Sequence, residues 1–235
     1  MSSELLFRSG NLVSPLIIKV SPRAKVMRLR VDPRTGAVLL TVPKRASRKA
    51  ALKWVEGHRP WVEAALSKVP APAAIEPGGI VPYLGLPHVI DWAENRSRLV
   101  RAEAGRLLVG GPLDSLEARI IRWLKQQART VLDRETREFA SLAEVTVARV
   151  DIGDPMSRWG SCSSSGTIRY SWRLILAPEW VRRATAAHEV AHRVHMNHGP
   201  HFHALVADLL GSDPTPARHW LRREGAALHR VGRKP

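Results

Sequence analysis

His188-Glu189-Val190-Ala191-His192, followed after five residues by His198, is the stretch on which the reading of this chain turns. On a helix, residues four apart share a face and lie about 6 Å apart along the axis. Two imidazoles placed this way can converge on one metal ion with bonds of about 2.0–2.1 Å. Glu189 directly follows the first histidine, so its carboxylate can sit beside a metal-bound water without ligating the metal. This is the H-E-x-x-H spacing of zinc hydrolases, with Glu189 the expected general base.

The third ligand comes from the residues beyond His192. Asn197-His198-Gly199-Pro200 must end the helix, because glycine and proline both stop helices. His198 therefore falls in or just past the turn, where the chain can fold back. His195 shares the helical face but lies about 10 Å beyond His188 if the helix stays regular. His201 and His203 point into the next helix. His198 has the best reach, and His195 and His201 remain alternatives. Three protein ligands leave the fourth position for water, the catalytic rather than the structural zinc arrangement. Cys162 is a minor candidate for a fourth ligand or a nucleophile, and His88, isolated among strands, is not read as a ligand.

Working outward, Thr167–Leu176 alternates Ile168, Tyr170, Trp172, Leu174 and Leu176 with Arg169, Ser171 and Arg173, which predicts one long strand. Pro178 and Glu179 open the helix that carries the histidines. Met156–Gly166, rich in serine and glycine, reads as a loop able to bring its backbone close to a site. Arg173, Arg169 and the Ser161/Cys162 backbone are the candidates for stabilising an oxyanion. Further upstream, Leu116, Ile120, Leu124, Ala128, Val131 and Leu132 form a helical stripe, and 145–152 reads as a strand.

The first half of the chain is read as β-rich. Residues 1–16 are poorly specified, and 17–42 predicts a hairpin around Asp32–Gly36 with a basic face of Lys25, Arg28 and Arg30. Ser47 can cap a helix that Pro60 interrupts, with its tryptophans in the core. Val69–Gly79 is a first connector. Four short strands between Ile80 and Val109 then predict an antiparallel meander, and Gly110-Gly111-Pro112 is a second connector. The expected fold is α+β, divided into a β-rich region over 1–111 and a zincin-like catalytic domain over 112–235.

The single cysteine, Cys162, excludes an internal disulfide and fits a reducing compartment. No apolar run is long enough to span a membrane, and the N-terminus shows no signal-peptide pattern, so a cytoplasmic location is expected. The 37 Lys and Arg against 21 Asp and Glu give a formal +16, which attracts polyanions such as nucleic acid or nucleotides. In the sequence this charge reads as scattered.

Arg158-Trp159-Gly160-Ser161-Cys162-Ser163-Ser164, the segment Ile168 to Pro178, and His188-Glu189-Val190-Ala191-His192 through Met196-Asn197-His198 together resemble the YgjP-like metallopeptidase family, a relative of the SprT-like and WLM zincins. Val42-Pro43-Lys44-Arg45-Ala46 and Pro82-Tyr83-Leu84-Gly85 fit its pattern too. Ser171, where asparagine is common, and His203, where an aromatic residue often follows Phe202, depart from it and bear on the shape of the substrate pocket. The resemblance implies a minimal zincin fold, one Zn²⁺ on His188, His192 and His198, and a strand like Thr167–Leu176 along the cleft. Peptidase activity is the leading implication. Nucleoside triphosphate pyrophosphohydrolase activity has also been attributed to this group, with Arg158, Arg169 and Arg173 available to grip phosphates. A basic nucleic-acid-associated module is the third reading. Peptide or nucleotide is thus the expected substrate, and nucleic acid an expected partner.

Overall fold

Val38, Leu40 and Val42 alternate with Leu39 and Thr41, and those three bury almost completely on one face of a strand. That strand is central to the first of two compact units, Met1–Ala71 and Pro72–Pro235. The structure, a computed structural model, describes residues 5–10, 12–71 and 73–232. Residues 1–4, at the start of the poorly specified stretch, and Pro72 in the first connector lie outside the described residues.

The first unit holds β1 (Leu6–Ser9), β2 (Leu12–Ser21), β3 (Arg28–Val31) and β4 (Val38–Pro43), in the order β1-β2-β4-β3. β3 and β4 form the expected hairpin, its turn closed by the Arg34 backbone N–H donating to the Asp32 carboxylate at 2.9 Å. Residues 6–9 and 12–16 are better defined than their sequence suggests, because they supply β1 and part of β2. β2 pairs in parallel with β4, a non-local contact that no local pattern announces. The Ser47 hydroxyl accepts from the Ala50 N–H at 3.1 Å and starts α1 (Arg48–Gly57). Pro60 sits in the first turn of a separate helix, α2 (Arg59–Leu66). Ala51, Val55, Val62 and Leu66 share a core with the sheet. Trp54 packs on this core as expected, but Trp61 does not, being 49% exposed.

In the second unit, β5 (Ile80–Tyr83), β6 (Leu86–Ala93), β7 (Arg101–Glu103) and β8 (Arg106–Gly110) form a sheet of order β5-β6-β8-β7. It is not the expected meander, since β6 and β8 run parallel. Val81, Ile90, Leu107 and Val109 are buried in one core with Ile120, Leu124 and Leu132 of α3 (Leu116–Leu142). The Tyr83 ring lies 4.8 Å from Trp123 of that helix, and its hydroxyl donates to Gln127 at 3.1 Å. This sheet has no core of its own, which is why the division falls at Ala71–Pro72 and not at the expected 111/112.

A second sheet of order β10-β11-β9 joins β9 (Arg149–Gly153), β10 (Gly160–Cys162) and β11 (Thr167–Ser171). β11 runs parallel to β9 and antiparallel to β10. The expected strand Thr167–Leu176 ends at Ser171, whose hydroxyl accepts from the Arg173 N–H. Trp172–Leu176 forms a tight 3-10 turn in which every side chain is buried, and alternation could not foretell that. Three helices complete the unit: α4 (Glu179–Ala191), α5 (Pro200–Leu210) and α6 (Thr215–Arg230). Among the described residues, no helix is long and apolar enough to cross a membrane.

Candidate metal centre and active-site cleft

α4 is fixed before it reaches the histidines. Arg182 makes a forked pair with Glu135 of α3 at 2.8–3.0 Å, and both side chains are buried. Ahead of the helix, the Leu84 N–H donates to the Ile175 carbonyl at 2.8 Å, and Gly85 packs so tightly on Pro178 that a Cβ would collide with its backbone. Behind it, Arg173 bridges Asp154 and the Leu228 and Val231 carbonyls. An unpaired buried charge would be costly, so the Arg182 and Arg173 pairs constrain where α4 lies, and the steric contact of Gly85 with Pro178 fixes its start.

The helix stops at Ala191 with His192 as its cap, earlier than Gly199-Pro200 would require. The Arg193, Val194 and His195 amides turn back onto Val190 and Ala191, and the Arg193 guanidinium reaches the Thr146 and Ser164 carbonyls. This early turn returns the chain to the helix. His198 Nε2 lies 3.2 Å from His188 Nε2, and one ring nitrogen each from His188, His192 and His198 lies within 4.8 Å of the others. Two nitrogens bound tetrahedrally at about 2.0–2.1 Å are about 3.3 Å apart, so the His188–His198 spacing fits a shared ion.

The support beneath the cluster fits as well. Phe202, 1% exposed, presents its ring 4.9, 4.6 and 4.7 Å from the His188, His192 and His198 rings. His192 Nδ1 can donate to the His195 carbonyl at 3.2 Å, which leaves Nε2 as the free lone pair. Burial, with smaller contributions from His192 and His198, pushes the His188 imidazole down to about 4, so it stays neutral and ready to ligate. Burial lowers His192 in the same direction. His195 contributes its carbonyl rather than its ring, which faces His201 at 6.2 Å outside the cluster.

Glu189 is 5% exposed, and its carboxylate lies directly against Gly160 of β10, where any side chain would displace it. Burial raises its carboxyl to about 7, against the opposing pull of Arg158. Beside it opens a cleft of about 250 Å³ lined by Trp159, Thr185, Val206, Leu221, Arg218 and His203, among others. Trp159 is braced against Gly225 of α6 and 4.8 Å from the His229 ring.

The other sequence candidates separate. Arg173 is 3% exposed and engaged as described, so it cannot face a substrate. Arg169 and Ser161 pair across the ladder one step out of phase with Gly160, on the sheet face away from Glu189. Arg169 instead lies over Gly153. Cys162 shares the Gly160 face but is not in the cluster, and burial pushes its thiol up. The strand beside Glu189 is β10, the edge strand, and not the expected Thr167–Leu176. Trp159, Phe202 and Arg218 were missed as site residues. Trp159 stands within the Arg158–Ser164 segment that carries the family resemblance, whereas Phe202 and Arg218 reach the site through the packing of α5 and α6.

These features define a class: an α+β chain whose H-E-x-x-H helix meets a third histidine beside a buried glutamate. Residues 25–224 match the family model described as YgjP-like, metallopeptidase domain, and the chain belongs to that family. No match was found among curated proteins or among solved structures. Membership places the chain in a metallopeptidase family of hydrolases, for which a metal ion is implied.

Proposed function

We propose that the chain is a zinc-dependent metallopeptidase, with His188, His192 and His198 as ligands and Glu189 as general base. The observation that carries this reading is the convergence of three imidazole nitrogens within 4.8 Å beside a buried carboxylate. When bound, zinc supplies Lewis acidity, which lowers the pKa of water toward about 7 and polarises a carbonyl oxygen. Glu189, as the carboxylate, accepts a proton from the attacking water and delivers it to the departing amine nitrogen. Its burial against β10 raises its proton affinity, so both transfers suit a near-neutral pH.

The surroundings favour a peptide. β10 is an edge strand, and an extended chain can add to such an edge through backbone hydrogen bonds. On that edge the Cys162 backbone is the group nearest to hand for holding the substrate carbonyl, because Ser161 alternates with Trp159 and Ser163 in facing β11 and turns its N–H and C=O inward. Val206, Ala217, Leu221 and Trp159 give the cleft an apolar wall that takes a side chain and excludes water. The nucleotide reading relied on Arg158, Arg169 and Arg173, and Arg173 is engaged while Arg169 lies on the far face.

Cleavage of casein by the zinc-loaded protein tests the proposal. Chelation abolishes cleavage, added zinc restores it, and Glu189→Gln lowers it by about 10²–10⁴-fold with zinc content unchanged. Pyrophosphate release from UTP without any peptide cleavage would replace this reading with the nucleotide one.

A further inference from the structure

The charge that reads as scattered in the sequence is concentrated in one unit. Residues 1–71 carry 14 Lys and Arg against 4 Asp and Glu, a net +10 out of the total +16. The described acids of this unit are already engaged: Asp32 with Arg34, Glu56 with Arg59, and Glu63 with the Ser9 hydroxyl. The sheet register sets Lys19, Thr41 and Arg28 in one row across the face opposite the core, and Ile17, Leu39 and Arg30 in the next. Lys19, Arg28 and Arg30 are all exposed.

At the edge of this sheet, a groove of about 410 Å³ runs between β3 and α2. Leu29, Val31 and Ala65 contribute apolar surface, and Arg30, Lys68 and Trp61 also line it. Trp61 leaves about half of its surface to solvent, whereas Phe7 and Trp54 of the same unit pack on the core. An open indole flanked by cations offers a stacking surface and phosphate partners within one groove.

We propose that this groove and the adjoining sheet face bind single-stranded nucleic acid, with a base stacked on Trp61 and phosphates held by Arg28, Arg30, Lys19 and Lys68. A duplex keeps its bases stacked on each other and would reach only the cations. An anionic lipid surface would also meet the cations, but it carries no aromatic base to stack on Trp61.

The test uses the full chain and a fluorescein-labelled strand of about 20 thymidines, long enough to track such a groove. Its anisotropy is compared with that of the matching duplex, and with sedimentation on vesicles rich in phosphatidylglycerol. The expected result is salt-sensitive binding, tighter to the single strand than to the duplex. Trp61→Ala weakens it about fivefold or more, and Trp61→Phe keeps most of it. Arg28→Ala and Arg30→Ala each reduce the salt slope by about one. Glu189→Gln binds as the wild type does, because the cleft lies in the other unit. Unchanged affinity in a folded Trp61→Ala protein, equal or tighter binding of the duplex, or binding to vesicles alone would overturn the proposal.

Discussion

The two units contain sheets of the same topology put to different use. β1-β2-β4-β3 and β5-β6-β8-β7 are each two antiparallel hairpins joined side by side through a parallel central pair, with a helix next in the chain. In the second unit the sheet neutralises its own charge, since Asp91 of β6 pairs with both Arg96 and Arg106. In the first, β2 offers Lys19 and β3 offers Arg28 and Arg30, and among the described residues none of these three has a salt-bridged acid, Asp32 beyond the end of β3 being paired with Arg34. The second sheet packs into the core that positions α4, whereas the first leaves one face to solvent. One topology therefore serves as scaffold in one place and as display surface in the other, and the difference lies in a few outward-facing residues.

The sharpest way to break this contrast is at the buried pair behind α4. Arg182→Ala strands Glu135 without its partner and is expected to cost about 3–5 kcal/mol, read as lost amide protection across α3 and α4 by hydrogen exchange. Protection in β2 and β4 of the first unit should be unmoved, and equal loss in both units would refute the separation. A second, smaller effect concerns Glu189 in the metal-free protein. Its folded-state carboxyl stands near 7 instead of the ordinary 4.5, so this group favours folding below pH 4.5 and the advantage is lost as pH rises to 7. Glu189→Gln should gain stability over the wild type across that window, by on the order of 3 kcal/mol at most, in chelator-treated urea melts. A constant difference from pH 4 to pH 8 would contradict it. Smallest, Ser47→Ala removes the exposed cap of α1 and should cost about 1 kcal/mol, confined to the first unit.

The sequence was most informative where chemistry demanded fixed spacing. His188 and His192 had to share a face with Glu189 beside them, and Gly199-Pro200 had to end any helix close to His198. The end of α4 at Ala191 was not legible, since it depends on Arg193 reaching carbonyls on two distant loops. β10 is three residues of glycine, serine and cysteine, with no alternation to mark it, and exists because β11 lies beside it. The alternation of Trp172, Leu174 and Leu176 misled for the opposite reason. In a segment buried on all sides, Arg173 included, polar and apolar positions cease to mark two faces. The parallel pairs β2–β4 and β6–β8 escape local reading because their partners lie far apart in the chain.

Leu84 and Gly85 form a hairpin tip with both residues at positive φ, 53° and 81°. Such tips are ordinarily where a chain tolerates an epitope tag or a circularly permuted terminus. Here the tip is wedged under Pro178 at the start of α4. Reporter insertions are therefore better placed at the Ala104-Gly105 tip, where a Cβ on Gly105 would meet nothing within 4 Å.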